Sequence, residues 1–331
     1  PLGQGGYLPV EKVYSYDPFI DEMTEDQKKH IIGVQTNLWT EYIPTAEHLE
    51  YMLLPRMSAI SEVQWCEADN KDWKRFRESA DHLAEIYEAL GFNYATHIFR
   101  TSGFVSRDAE KGVVLMNFET QGDAPIRYTT DGSEPTAESA LYEGPIEVTE
   151  SCVIKGKSFR ENIQDKTFSK EFKAHKAMGK TAILGTLPAP HYTYNAPDLL
   201  VNGVRGPYNF RSGDWAGWSA TPFDVTIDME GEAYSSVTLG TIVIKYDWVF
   251  NPQSIVISTS EDGKTFTEVA KEVYGPEGED EPNALKEYTL TFPETSAKYL
   301  KVWAETITSV PAWHPGAGGA GFLFVDEIVV R

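Results

Sequence analysis

Three regimes of hydrophobic patterning follow one another along the chain. Up to about residue 100 the pattern is mostly helical. In "KDWKRFRESADHLAEIYEALG" the apolar positions Trp73, Phe76, Ala80, Leu83, Tyr87 and Leu90 recur at helical spacing, and Gly91 supplies the stop. "TAEHLEYMLLPRMSAISEVQW" predicts a helix from about Thr45 that kinks or breaks at Pro55, where a backbone donor is lost. "MTEDQKKHII" sets Gln27 three residues after Thr24, the spacing of a capping box. One run differs: Ile31–Trp39 reads as a strand and ends abruptly in Trp-Thr-Glu.

Past residue 100 the period shortens. "VVLMNFET", "APIRYTT", "GPIEVTE", "SCVIKGKSF" and "TFSKEFKAH" are short strand runs, separated by turn chemistry such as Asp131-Gly132. They predict a small β-sandwich over about 101–178. From about 179 to 331 the runs lengthen: "FDVTIDM", "SVTLGTIVIKY", "SIVISTS", "EYTLTF", "KYLKVWAET" and "FLFVDEIVV" alternate well. A jelly-roll sandwich fits them. The expected architecture is multidomain: an α/β segment at 1–100, then two all-β sandwiches at 101–178 and 179–331.

Length and charge narrow the function. At roughly 100–200 residues per domain, 331 residues suggest two or three domains. Asp and Glu number 50 against 29 Lys and Arg, a net charge of −21. Such a chain repels phosphate backbones, which disfavours nucleic acid and favours neutral or cationic ligands. A local acidic loop, "GPEGEDEPN", spans Gly275–Asn283. Cys66 and Cys152 read as buried thiols and form no disulfide framework or metal motif. No run of 18 apolar residues offers a membrane span, and no signal peptide is visible.

"NLWTEY" with "EHLEYMLLPRMSAISEVQW" resembles the family 20 glycoside hydrolases, the β-N-acetylhexosaminidases, over roughly residues 1–95. The resemblance implies the last strand and last helix of a (β/α)8 barrel, preceded by an insertion-like stretch, "GGYLPVEKVYSYDP". A whole barrel needs about 200–250 residues. The chain therefore reads as the C-terminal part of a longer enzyme. The adjacent Asp-Glu pair that the family places at strand four would lie upstream, so no catalytic residue is expected here and the chain alone is expected to be inactive. The implied reaction is hydrolysis of terminal N-acetyl-β-hexosaminides with retention, assisted by the substrate's own acetamido oxygen. Trp39 and Glu41 would contact substrate: an indole gives a flat wall for a pyranose face, and the carboxylate accepts from hydroxyls. Spacing alone reads them as a core Trp and a solvated Glu. Glu62, on the following helix, reads as structural. Leu53, Leu54, Met57 and Ile60 would pack on neighbouring barrel elements.

"IRYTTDGSEPTAESALYEGPIEVTESCVIKGKSF" resembles the small sandwich of chitobiases and hexosaminidases, whose expected job is spacing and docking. "LLVNGVRG", "DVTIDM", "STSEDGKTF" and "FVDEIVV" resemble a discoidin or F5/8 type C domain, related to carbohydrate-binding modules. That resemblance implies a second sugar site among Arg211, Asp214, Trp215, Trp218, Trp313 and His314, unless the tryptophans brace long loops. It also implies a structural calcium near Asn202 and Glu327, although Asn stands where a charged ligand is usual. No cofactor is otherwise required. The expected partners are glycans with terminal N-acetylhexosamine and the remaining barrel, in the periplasm, secreted or at the cell surface. Two alternatives stay open: glycan-binding modules without catalysis, or sandwiches that only dock a barrel.

Overall fold

The computed structural model describes residues 2–3, 6–41, 43–120, 124–160 and 165–331. Among the described residues it is mostly β, with the α-helices in the first hundred residues and short 3-10 turns at Pro190–Tyr192, Asp198–Val201 and Lys245–Asp247. A two-residue pair, β1 (Leu2–Gly3) with β2 (Gly6–Tyr7), precedes α1 (Val10–Tyr14), α2 (Glu25–Lys28), α3 (Ala46–Leu53), α4 (Arg56–Trp65) and α5 (Trp73–Ala89). The capping box is present: Thr24 accepts from Gln27 N, and the Gln27 side chain accepts from Thr24 N. Thr45 caps α3 through His48 N at 3.1 Å, and Pro55 separates α3 from α4. The α5 stripe buries Phe76, Ala80, Ala84 and Tyr87, while Leu90, expected on the same face, is exposed beyond the last turn. Tyr14 from α1 packs on Trp73 and Phe76 and donates to Glu62 at 2.8 Å, so Glu62 is a structural acceptor.

The strand expected over Ile31–Trp39 does not form. Residues 31–39 pair with no strand among the described residues. A parallel strand needs neighbours to take its backbone groups. Here the Gln64 side chain serves Val34 O instead, at 2.8 Å. Ile32 is consequently 99% exposed.

The next strands are β3 (Ser102–Asp108), β4 (Val113–Glu119), β5 (Ile126–Thr129), β6 (Ala140–Leu141), β7 (Ile146–Val148), β8 (Cys152–Ser158) and β9 (Phe168–Phe172). They form an antiparallel sheet β3-β4-β7 and a second, β6-β5-β8-β9. Met116, Phe118, Ile154 and Phe172 fill the space around them. Gly156 is required there, since a Cβ would sit 2.4 Å from the Phe118 ring. Asp165 accepts from Thr101 and Ser158 through backbone and hydroxyl donors, tying the start of β3 to the end of β8. The two cysteines are free and half-buried, less enclosed than expected.

The remaining strands are β10 (Ala182–Leu184), β11 (Ala216–Ser219), β12 (Phe223–Asp228), β13 (Tyr234–Val243), β14 (Ser254–Ser260), β15 (Thr267–Val273), β16 (Ala284–Thr295), β17 (Tyr299–Glu305) and β18 (Phe322–Val330). A five-stranded sheet β10-β12-β17-β14-β15 faces a four-stranded one, β11-β18-β13-β16, both antiparallel. In β12 burial alternates without a break: Phe223, Val225 and Ile227 point inward. β18 is buried along most of its length, because loops cover its outer face. It carries a bulge where Asp326 and Glu327 oppose the single residue Gly240 of β13.

The two sandwiches share one joint. Val204 lies in the core of the smaller one. Lys173 N donates to Gly203 O and Gly179 N to Val201 O, while Arg107 reaches Gly179 O at 2.7 Å. Lys170 pairs with Asp214 at 2.9 Å. At the centre His175 and Glu327, 3.2 Å apart, are wholly buried.

Candidate functional site

Two surfaces bring chemistry together. The first follows the extended run 31–41. Trp39 is 73% exposed and lines a groove of about 680 Å³ with Leu38, Met52, Leu53 and Met57. Glu41 is exposed beside it in sequence. Ile60 is buried behind the groove, whereas Met57 stays exposed.

The second surface is the end of the larger sandwich where β13, β15 and β17 finish and β14, β16 and β18 begin. The loops 244–253, 274–283 and 306–321 meet there on Lys245. Its ammonium donates to Gly278 O at 2.8 Å, to Glu279 O at 2.7 Å and to Glu281 O. Lys245 N donates to the Asn283 side chain. His314 donates from Nε2 to Lys245 O at 2.8 Å, a tautomer fixed because Nδ1 accepts from Gly316 N. Lys245 also lies 5.6 Å from the centre of the Trp313 ring. One buried lysine thus holds all three loops.

The sequence-derived sugar residues separate into different roles here. Trp215 and Trp218 are fully buried, and their indole N–H groups are spent on Pro207 O and Thr186 O. His314 is buried and both its ring nitrogens are engaged. None of these three offers a free face to solvent. Asp214 is occupied by Lys170 of the smaller sandwich. Arg211 lies over Phe210 and points to Asp247 at 3.6 Å, and Trp313 is half-buried against Phe250. On the loop 244–253 the exposed aromatics are Tyr246, 84% exposed, and Trp248, 38% exposed, while Tyr194 and Tyr208 are exposed on the loop before β11. The only sequence signal for Tyr246 and Trp248 is Tyr-Asp-Trp interrupting an alternating strand run at "IVIKYDWVF".

The carboxylate offered to calcium is engaged by protein donors. Glu327 Oε2 accepts from Gly203 N and Val204 N at 2.7 and 3.1 Å, and Oε1 faces His175 Nε2. Asn202 is turned back on Val204 N. Among the described residues no three His, Cys, Asp or Glu side chains are grouped to hold a metal. Next to Glu327, burial outweighs the ion pair with Arg205 and pushes the Asp326 carboxyl up to about 6. No helix among the described residues is long and apolar enough to cross a membrane.

Three known families match successive stretches of this chain. The profile of the glycosyl hydrolase family 20 catalytic domain matches residues 2–68. That of the chitobiase/beta-hexosaminidase C-terminal domain matches 108–170, and that of the F5/8 type C domain 189–321. The chain is thereby similar, in successive stretches, to three different domain families. Among individual relatives, the beta-hexosaminidase of Porphyromonas gingivalis is 32% identical over 156 residues, covering 47% of this chain and 20% of that protein. The beta-hexosaminidase of Akkermansia muciniphila is 36% identical over 86 residues, covering 26% of this chain and 17% of that protein. The chain thus spans about a fifth of the length of these relatives. A solved structure, CpGH89CBM32-5 of Clostridium perfringens in complex with GalNAc-β-1,3-galactose, is 18% identical, with 47% of this chain and 99% of that one covered and a TM-score of 0.30.

Proposed function

We propose that this chain is part of a β-N-acetylhexosaminidase that acts outside the cytoplasm, with a terminal sandwich that binds glycans. The observation that carries the reading is the order of the three family matches on one chain, beside its partial likeness to proteins named beta-hexosaminidases. On this reading residues 1–100 are a piece of the catalytic (β/α)8 barrel, 101–178 the docking sandwich, and 179–331 the glycan-binding module. The extended run followed by α3 and α4 has the strand-then-helix order of such a barrel. The groove beside Trp39 is where further barrel elements would pack, and they would complete the ladder that 31–39 lacks.

Substrate contact is assigned to Trp39, as an apolar wall for a pyranose ring, and to Glu41, as a hydroxyl acceptor. In the terminal sandwich Arg211 and Trp313 stay candidates at the glycan end, while Trp215, Trp218 and His314 support it. A non-catalytic, glycan-binding chain is the second reading, favoured by the exposed aromatics Tyr246 and Trp248.

The test is turnover of an aryl N-acetyl-β-hexosaminide. This chain alone is expected to show none, whereas a polypeptide supplying the whole barrel is expected to be active. In that polypeptide Trp39→Ala lowers kcat/KM about tenfold, the size of one lost apolar contact. An unchanged kcat/KM would remove Trp39 from the substrate site, and an inactive whole-barrel polypeptide would leave the glycan-binding reading.

A further inference from the structure

A cleft of about 460 Å³ opens where the helical segment meets the smaller sandwich. α1, the start of α5 and the 3-10 turn Thr96–Phe99 form one side of it, and the start of β3 with the end of β4 forms the other. Its lining runs against the charge of the molecule. The chain carries −21, yet Arg56, Arg77 and Arg100 all face this one cleft. The two carboxylates on its lining, Glu11 and Glu119, are exposed and make no ion pair among the described residues.

The three arginines are not equally committed. Arg56 Nε donates to Leu8 O at 2.9 Å and Arg77 Nη2 to Thr120 O at 3.1 Å, which holds both against the walls. Every other arginine from Arg56 to Arg211 bonds a carbonyl or pairs with a carboxylate, whereas the half-buried Arg100 guanidinium has no partner among the described residues. Arg100 does not sit on a loose segment. Phe99 before it is locked in the core beside Tyr94. Thr101 after it is buried and donates to Asp165 from both its backbone N and its hydroxyl. The backbone is pinned on both sides, so the guanidinium is offered from a fixed base. His97 feels the same positive field. Burial comes first in driving its imidazole down to about 4, and the charges of Arg100, Arg56 and Lys166 push the same way.

A guanidinium drawn partly out of water without a carboxylate is unfavourable alone, and becomes favourable when an oxoanion meets its paired N–H groups. Size and charge narrow what carries that oxoanion. The cleft has room for more than a bare ion. Trp73, stacked on Phe76 at 5.6 Å, and Ile98 give it an apolar side. The overall charge repels long polyanions before they reach it, and repels a ligand with one or two charges far less. We propose that this cleft is a binding site for a small, ring-sized organic anion whose carboxylate or sulfate is taken by Arg100, with Arg56 and Arg77 flanking it. The site is separate from Trp39 and from the loops of the larger sandwich.

The experiment is a calorimetric titration of the full chain at neutral pH and low salt with three probes: glucuronate, glucose and inorganic sulfate. Glucuronate and glucose share a ring and differ in the carboxylate. Glucuronate is expected to bind about tenfold more tightly than glucose, with sulfate competing for the same site. Arg100→Gln removes the charge without breaking a bond of the folded chain. Its melting temperature should stay where it is, while affinity for both anions falls about tenfold. Arg100→Lys keeps the charge but not the planar fork, and should lose less. Equal affinity for glucuronate and glucose, or no binding of either anion, would overturn the anion site. Anion binding undiminished in Arg100→Gln would place it elsewhere and overturn the assignment. Sulfate binding without glucuronate would mean an adventitious ion only and overturn the organic ligand. Hexosaminide turnover is read by a separate assay and stands or falls apart from these outcomes.

Discussion

Trp218 and Trp248 put the same side chain to opposite uses. One is sealed in the core with its N–H satisfied, and the other is held half in water by a strained backbone. Nothing in the local sequence separates them, because burial depends on which strand or loop covers a position. The exposure of Tyr246 and Trp248 was therefore illegible, and Arg211 and Trp313 were chosen for their residue type alone. Asp326 shows a second residue-scale effect. Its Oδ2 accepts from Arg205 and Gly206 N, but its buried Oδ1 has no hydrogen-bond partner. Its folded pKa is raised to about 6 from 3.8, so the folded chain binds more protons than the unfolded between those values. Stability is then lost as pH rises from about 4 to about 6 and stays low above. Asp326→Asn should remove that loss. Urea midpoints should shift in the variant's favour between pH 4 and pH 7 by roughly 3 kcal/mol; a pH-independent difference would refute the account. Gly156→Ala should cost about 1–3 kcal/mol by driving a methyl into Phe118, read by the same midpoints.

At the scale of elements, alternation was the reliable signal. The runs "FDVTIDM" and "SIVISTS" became β12 and β14 because one face of each could be buried against the opposing sheet. The short β3 was not anticipated: its "SGFVSRD" has a single strong apolar pair, and its place is set by pairing with β4. Ile31–Trp39 failed in the other direction. Its apolar pattern is strand-like, but a pattern cannot supply the neighbour that a ladder requires. The start of α2 was legible from its capping box; Thr45 caps α3 in the same way, and Thr45→Ala should cost about 1 kcal/mol in a thermal melt. The loops need a different account. Lys245→Met keeps the stem of the side chain but removes the donor to three carbonyls. Hydrogen exchange and proteolytic cutting should rise across 275–283, with the β-sheets still protected. Unchanged exchange in that loop would show that Lys245 does not hold it.

Across the whole molecule, nothing in the sequence marked Glu327 and the 202–204 turn as a joint between the sandwiches. The Gly203-Val204 pair, Glu327 and His175 lie far apart along the chain, and only folding brings them together. The acceptor at this joint was legible as a special residue, though as a cation ligand rather than as the acceptor for two backbone N–H groups. Glu327→Ala leaves Gly203 N and the His175 N–H buried without an acceptor, and Val204 N with Asn202 Oδ1 alone, a cost of roughly 3 kcal/mol or more. Exchange protection should fall together over residues 168–181 and 199–206; loss confined to the larger sandwich would show that the joint does not couple them. A chain with Val204 set into its neighbour's core has no slack at that point. Two modules on a flexible tether share an effective concentration, and the ligand may lie at any angle between them. Here the join behaves as a ruler: on the proposed reading, a saccharide seated at the far loops leaves along one direction and spans one fixed distance. Which sugar in a polymer comes within reach of the rest of the protein is then decided by counting residues of the polymer, and a few glycines spliced in after Phe172 would erase the count.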